Sequence, residues 1–397
     1  MLRGLRFFAL ILAAFTGGLV GARGVRAADD PDSTYRELAI LARVLHYVET
    51  NFVAEVEPRA LIHGAIRGML ATLDDHSTFM DPEQFAAIRS EAQGEFGGIG
   101  VELVRQKERL VVVERYPGSP AERQGIQLGD VVISVGGQPT EGSSLAEVVR
   151  RIKGPPGTTV GLGVERAADH RVEELILVRE RIRMITVDGR WEGGFAYLRI
   201  KSFTERTSHD LTRALEALKA ERPVPGLILD LRDNPGGLLD EAVRVADIWL
   251  QSGVIVSTEG RNRPADVELA HPKDTEPEYP LVVLVNGGTA SASEIVAGAL
   301  QDHHRAVILG TQTFGKGSVQ TVIELEDHSA LKLTVARYFT PQHRSIQGTG
   351  ITPDEVVPPI ADPQGPSGAD KQLDAAVILL TRWSKGQGKR LGTGTFR

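Results

Sequence analysis

Two short apolar runs constrain this chain more than any other feature. Leu227-Ile228-Leu229-Asp230-Leu231 and Leu281-Val282-Val283-Leu284-Val285 are apolar almost without interruption. A strand with one wet face alternates, whereas a run without alternation is buried on both faces, as in a parallel sheet covered by helices. Each run is followed by a Gly-containing turn and then a helical stretch, which predicts an α/β core over about 185–360. Ala196 to Ile200 reads as a further strand. Thr207 to Glu221 reads as a helix with Leu211, Leu215 and Leu218 on one face. His271 to Pro280 holds three prolines and several acids and reads as a surface loop.

Upstream the texture differs. Residues 31–93 read as helical, with Leu38, Leu41, Val44, Leu45 and Val48 at helical spacing, and then Leu61, Ile66, Met69 and Leu70. Asp81 followed by Pro82 marks a helix start, with Asp81 as N-cap. From about 96 to 184, short β runs broken by Gly and Pro predict a compact β-rich module. One amphipathic helix from Ser144 interrupts it, carrying Leu145, Val148, Val149 and Ile152, and Lys153-Gly154-Pro155-Pro156-Gly157 stops it. The expected division is therefore 1–28, 29–95 (helical), 96–184 (β module), 185–360 (α/β core) and 361–397. The last segment is a linker, a helix over Lys371 to Trp383 and a polar tail.

Residues 1–28 read as an export signal or an inner-membrane anchor. Arg3 and Arg6 precede a mostly apolar stretch, Phe7 to Gly21, and Val25-Arg26-Ala27 resembles a small-x-small cleavage site. Its loss would lower the net charge from −7 to −11, because four arginines and no acids go with it. The expected location is periplasmic or otherwise exported. The 397 residues contain no cysteine, which excludes disulfide scaffolds, thiolate metal sites and cysteine nucleophiles. The acidic balance and the lack of a basic stripe argue against nucleic-acid binding. The ten histidines are scattered without an HExxH pattern, so neither a metal nor another cofactor is expected.

The chemistry concentrates in two segments. Asn286-Gly287-Gly288-Thr289-Ala290-Ser291-Ala292-Ser293-Glu294-Ile295 follows a buried strand and opens a helix. A serine at a helix N-terminus faces outward N–H groups, which suit an oxyanion. The same residues also suit a plain capping box, Ser291 with Glu294. A serine nucleophile needs a base. His303 is a poor one, since along a single helix it would lie about 18 Å from Ser291. The second segment is Gly310-Thr311-Gln312-Thr313-Phe314-Gly315-Lys316-Gly317-Ser318-Val319-Gln320. It narrowly misses the phosphate-binding GxxxxGK[ST] pattern, because Gly317 stands where Ser or Thr should be and a strand follows. A lysine in a desolvated pocket can be neutral near pH 7 and serve as a base for serine.

The pairing of GTASASEI with FGKGSVQ, the lysine 25 residues beyond the serine, resembles the C-terminal processing, or tail-specific, peptidases. The resemblance runs over about 35–360 and includes Asp75-His76-Ser77-Thr78-Phe79. It implies a mixed α/β and β multidomain fold: a helical N-terminal region, an inserted PDZ-like β module, and a protease core of the crotonase/ClpP-like type. It implies Ser291 as nucleophile, Lys316 as general base, and Gln320 as the residue that orients the lysine, the two sharing a face if both lie on one strand. Ala292 supplies one oxyanion N–H. Gly237 is favoured for the other, with Gly236 as the alternative. In the PDZ-like module, Gly98, Ile99, Gly100 and Val101 match the loop that holds a substrate's terminal carboxylate while the peptide adds as a strand.

The resemblance thus implies an exported serine endopeptidase acting on protein or peptide substrates with apolar C-termini, through an acyl-enzyme. Such a chain is expected to form a homodimer or higher oligomer. An adaptor protein and membrane association through the N-terminus are compatible with it. The rival readings are a non-catalytic PDZ scaffold or chaperone that binds tails, and a nucleotide-binding enzyme using 310–318. His76, Tyr197, Phe203 and Trp191 are expected to be structural.

Overall fold

The computed structural model describes residues 31–261, 264–358 and 370–386; the expected signal or anchor segment lies outside them. The chain divides into a unit ending at Asp75 and a unit beginning at His76. The described part of the first unit is two helices, α1 (Pro31–Asn51) and α2 (Pro58–Leu70). The Glu57 carboxylate caps α2, accepting from the Arg59 and Ala60 N–H groups. Leu38, Leu41, Val44 and Tyr47 recur at helical spacing along α1 and are all exposed.

The second unit opens with β1 (Thr78–Met80) and α3 (Pro82–Ala92). Asp81 caps α3 in a full capping box with Gln84. β1 departs from the helical reading of 31–93. Phe79 and Met80 are buried, and the segment pairs with a distant strand, residues 330–332. Tertiary pairing overrides local pattern here.

The PDZ-like module is carried on a two-stranded ribbon. The chain enters through β2 (Glu95–Gly98) and, after the module, leaves through its antiparallel partner, residues 180–183. Between them lie β3 (Val101–Gln106), β4 (Arg109–Arg115), α4 (Pro120–Arg123), β5 (Val131–Val135), β6 (Gln138–Pro139), α5 (Leu145–Ile152), β7 (Thr159–Glu165) and β8 (Val172–Val178). The sheet order is β3-β4-β5-β7-β8, so β3 is an edge strand. Its core gathers Ile99, Leu110, Val112, Ile126, Val148, Leu162 and Val164. β9 (Glu180–Arg183) closes the ribbon.

The α/β core is a six-stranded sheet of β10 (Val187–Glu192), β11 (Phe195–Ile200), β12 (Leu227–Asp230), and then three strands formed later in the chain. α6 (Thr207–Glu221) and α7 (Leu239–Asp247) lie between these elements in sequence. β13 (Val254–Gly260) and β14 (Asp266–Leu269) leave the sheet. β15 (Leu281–Val285), α8 (Ala292–Asp302) and β16 (Val307–Gly310) return to it. β17 (Ser318–Glu324) and β18 (Ala330–Phe339) form a hairpin in the second sheet. β19 (Glu355–Val356) completes the first sheet, and α9 (Lys371–Ser384) packs against it.

In the first sheet β11, β12, β15, β16 and β19 are parallel and β10 is antiparallel. Both faces are buried, as the unalternating runs require. Leu227, Leu229, Leu281, Val283 and Val285 face the main core, while Ile228, Val282 and Leu284 face α9. The second sheet orders β1-β18-β13-β14, with β17 also on β18.

Candidate active site

Ser291 sits at the turn from β15 into α8, with φ 57° and ψ −119°. The turn is held from three directions. Thr289 Oγ1 donates to Leu231 O (2.8 Å), the Ala290 N–H donates to Asn234 O (2.9 Å), and the Ser291 N–H donates to Glu294 Oε2 (2.8 Å). Ser293, two residues on, is fully buried, and its hydroxyl donates to Asn234 O at 3.0 Å. That hydroxyl is spent on structure.

Asn234 links this turn to the glycine-rich turn after β12. It is fully buried, its Nδ2 donates to Ile200 O (2.8 Å), and its Oδ1 accepts the Gly236 N–H (2.9 Å). Gly236 lies against the Ser291 turn: a Cβ there would come within 2.7 Å of the Ser291 Cβ. Among the described residues, the N–H groups of Gly237 and Ala292 donate to no backbone carbonyl. The sequence left Gly236 and Gly237 as alternatives, and the bond to Asn234 removes the Gly236 N–H from use.

Lys316 lies in the loop between β16 and β17. Its backbone passes close to residues 347–350, and a Cβ at Gly317 would meet Gln347 N at 2.6 Å. The flanking glycines are therefore required by close approach. The side chain is half-buried, and no ion pair holds its charge among the described residues. Burial first, and then repulsion from Lys332, push its pKa below the usual lysine value.

Glu294 joins the two segments. Its carboxylate is fully buried and accepts four hydrogen bonds: from the Ser291 N–H (2.8 Å), Thr313 Oγ1 (2.5 Å), the Gly315 N–H (2.7 Å) and the Lys316 N–H (2.9 Å). The sequence marked Glu294 only as a capping partner. The residues that complete its shell lie 19–22 positions away, a separation no local pattern reveals.

Gln320 lies on β17 (Ser318–Glu324). β17 begins at Ser318, so Lys316 precedes the strand and the shared-face argument lapses. A register shift between Val319 and Gln320 turns the strand further. The Gln320 amide nitrogen donates to Ser318 O (3.2 Å), Ser318 Oγ (2.9 Å) and Thr334 Oγ1 (3.4 Å), which leaves its Oε1 open to a role toward Lys316. The Nε2 of His303 is hydrogen-bonded to Val254 O at 2.7 Å.

In the PDZ-like module Gly98 pairs within the ribbon, Ile99 and Gly100 form the turn, and Val101 opens edge strand β3. The Ile99 side chain is buried in the module core, so only its backbone can face a ligand. The Ile99 and Gly100 carbonyls are taken by the Ala121 and Tyr116 N–H groups, while their own N–H groups donate to no backbone carbonyl among the described residues. Leu145 and Val149 on α5 remain half-exposed, whereas Val148 and Ile152 are core.

Comparison with known proteins agrees with this organisation. Residues 194–357 match the model of peptidase family S41, residues 111–166 match a PDZ domain, and residues 21–84 match the activating protease CtpB N-terminal domain. The carboxy-terminal-processing protease of Bartonella bacilliformis is 42% identical over 362 residues, covering 90% of this chain and 83% of that protein. The carboxy-terminal processing protease CtpA of Bacillus subtilis is 35% identical over 345 residues, covering 86% and 73%. Among solved structures, the photosystem II D1 C-terminal processing protease aligns with a TM-score of 0.51 at 32% identity, over 88% of this chain and 92% of that one. The similarity spans the PDZ module and the core together, and on that ground the chain belongs to the carboxy-terminal-processing serine proteases of family S41.

Proposed function

We propose that this protease is exported, captures substrate C-termini in its PDZ module, and cleaves through a Ser291–Lys316 dyad. The observation that carries the dyad is the shared carboxylate: one buried Glu294 fixes the backbone at both residues. A half-buried lysine without a counter-ion is suited to be neutral when it acts. Lys316 Nζ takes the Ser291 Oγ proton as that oxygen attacks the scissile carbonyl. The oxyanion is met by the Gly237 and Ala292 N–H groups, both unspent within the backbone. The lysine returns the proton to the leaving amine, leaving an acyl-enzyme, and then deprotonates the water that hydrolyses it.

For the PDZ module, the unspent N–H groups of Ile99 and Gly100 are suited to a carboxylate. The free edge of β3 is suited to an added strand, with Leu145 and Val149 beside it. The exposed apolar residues of α1 support pairing with a second copy of the chain.

The test uses residues 29–397, the Ser291→Ala variant and the Lys316→Ala variant, each incubated with an unfolded reporter ending in apolar or in charged residues. Mass spectrometry should show cleavage by the parent alone, faster for the apolar tail. Cleavage by either variant at the parent's rate would refute the dyad. Equal rates for both tails would refute tail capture.

A further inference from the structure

Tyr338 is the buried hydroxyl that the mechanism above does not use. It lies near the end of β18 and is only 2% exposed. Its backbone N–H donates to Gly317 O at 3.0 Å, which fixes it to the loop of Lys316. It belongs to the same apolar cluster as Ala292 and Ile295, the first turn of the helix behind Ser291. Among the described residues it carries the one buried hydroxyl without a hydrogen-bond partner. Native proteins rarely leave such a group unpaired, and each exception calls for a reason.

Two groups face that hydroxyl: the Glu294 carboxylate and the Ser291 hydroxyl. Glu294 is already filled by four donors. Ser291 Oγ is the remaining acceptor. Burial first, then the neighbouring Glu294 charge, drive the tyrosine's pKa far above its ordinary value. The hydroxyl therefore keeps its proton throughout the working pH range and is available as a donor. At rest the hydroxyl faces Ser291 without reaching full hydrogen-bond geometry, and the interaction strengthens when charge develops on the serine oxygen.

We propose that the Tyr338 hydroxyl donates a hydrogen bond to Ser291 Oγ at the two moments when that oxygen carries negative charge. The first is attack, as Lys316 removes its proton. The second is deacylation, as Oγ leaves the tetrahedral carbon and recovers a proton from Lys316. Tyr338 keeps its own proton in both, so the proton balance of the dyad is unchanged. The proposal rests on the Ser291–Lys316 reading and adds a donor on the nucleophile side, opposite in role to the N–H groups that meet the carbonyl oxygen.

Tyr338→Phe in the full chain removes only the hydroxyl. Losing one donor aimed at transition-state charge lowers kcat by about 10²–10³-fold, so a fall of that size is expected, with KM within about twofold. The rate at which a fluorophosphonate labels Ser291 should slow by a similar factor, while the melting temperature stays level or rises because an unpaired buried hydroxyl has gone. A kcat and a labelling rate close to the parent's would overturn the proposal, as would lost activity accompanied by a lower melting temperature and a changed KM. A second measurement places 3,5-difluorotyrosine at position 338, which keeps the ring and hydroxyl but makes the donor more acidic. The labelling rate should then change, and a flat response overturns the proposal. Ser291→Ala is run in parallel. If it still cleaves, the dyad and this proposal fail together; if it is inert while Tyr338→Phe is fully active, this proposal alone fails.

Discussion

At the scale of single residues, the site is organised by a carboxylate that takes no part in bond making. Glu294 accepts donors from both the nucleophile turn and the lysine loop, so each holds the other in place. The proposed pair, Ser291 and Lys316, was marked in the sequence by spacing and flanking residues that form a pattern. Glu294 was legible only as a cap, and Tyr338 not at all, since the contacts of both join segments far apart in the chain. Lys332 is another such residue. Its positive charge helps hold Lys316 below the usual lysine pKa, behind the larger effect of burial. The proposed base works only when neutral, so on that reading activity is present above the Lys316 pKa and lost as pH falls through it. Removing the neighbouring charge raises that pKa. Lys332→Gln is therefore expected to move the acid limb of the kcat/KM profile to higher pH with the plateau nearly unchanged. A profile superimposable on the parent's would show that Lys332 does not tune the base.

At the scale of elements, the parallel sheet was legible because strands buried on both faces advertise themselves by unbroken apolar runs. The antiparallel sheet was less so. β14 has every residue exposed and β17 is largely exposed, so neither displays a core pattern, and β1 is a strand only because β18 is there to pair with it. The docking of α9 was equally hidden. Arg232 bridges the fully buried Asp230 (2.6 Å) and Asp370 at the N-cap of α9 (2.8 Å), and Tyr197 Oη donates to Asp230 at 2.6 Å. This cluster begins the turn that continues through Asn234 to Gly237, so the last helix braces the proposed oxyanion turn. Removing one partner of a buried ion pair strands the other, which costs about 3–5 kcal/mol. Arg232→Met is expected to lose stability on that order in urea unfolding and to release α9 to faster amide exchange. A loss under 1 kcal/mol would mean that the ion pair does not brace the turn.

At the scale of the whole molecule, two features bear on assembly and persistence. The exposed apolar row on α1, Leu38, Leu41, Val44 and Tyr47, belongs to a unit whose described part is two helices, too few to bury it. Residues 29–397 are expected to be dimeric or larger by light scattering, and residues 76–397 monomeric. Identical masses per chain in both preparations would assign the row another purpose. The second feature is the backbone of Ser291, whose φ of 57° and ψ of −119° place an L-residue where glycine rests freely. Such a residue costs about 1–3 kcal/mol, a sizeable part of a typical total of 5–15 kcal/mol. Selection for durability alone would thus favour glycine at 291, and on the proposed reading the need to cut peptides opposes it. A lineage released from that need should lose the proposed nucleophile early while its fold and the proposed grip on chain ends survive, leaving a binding protein descended from an enzyme.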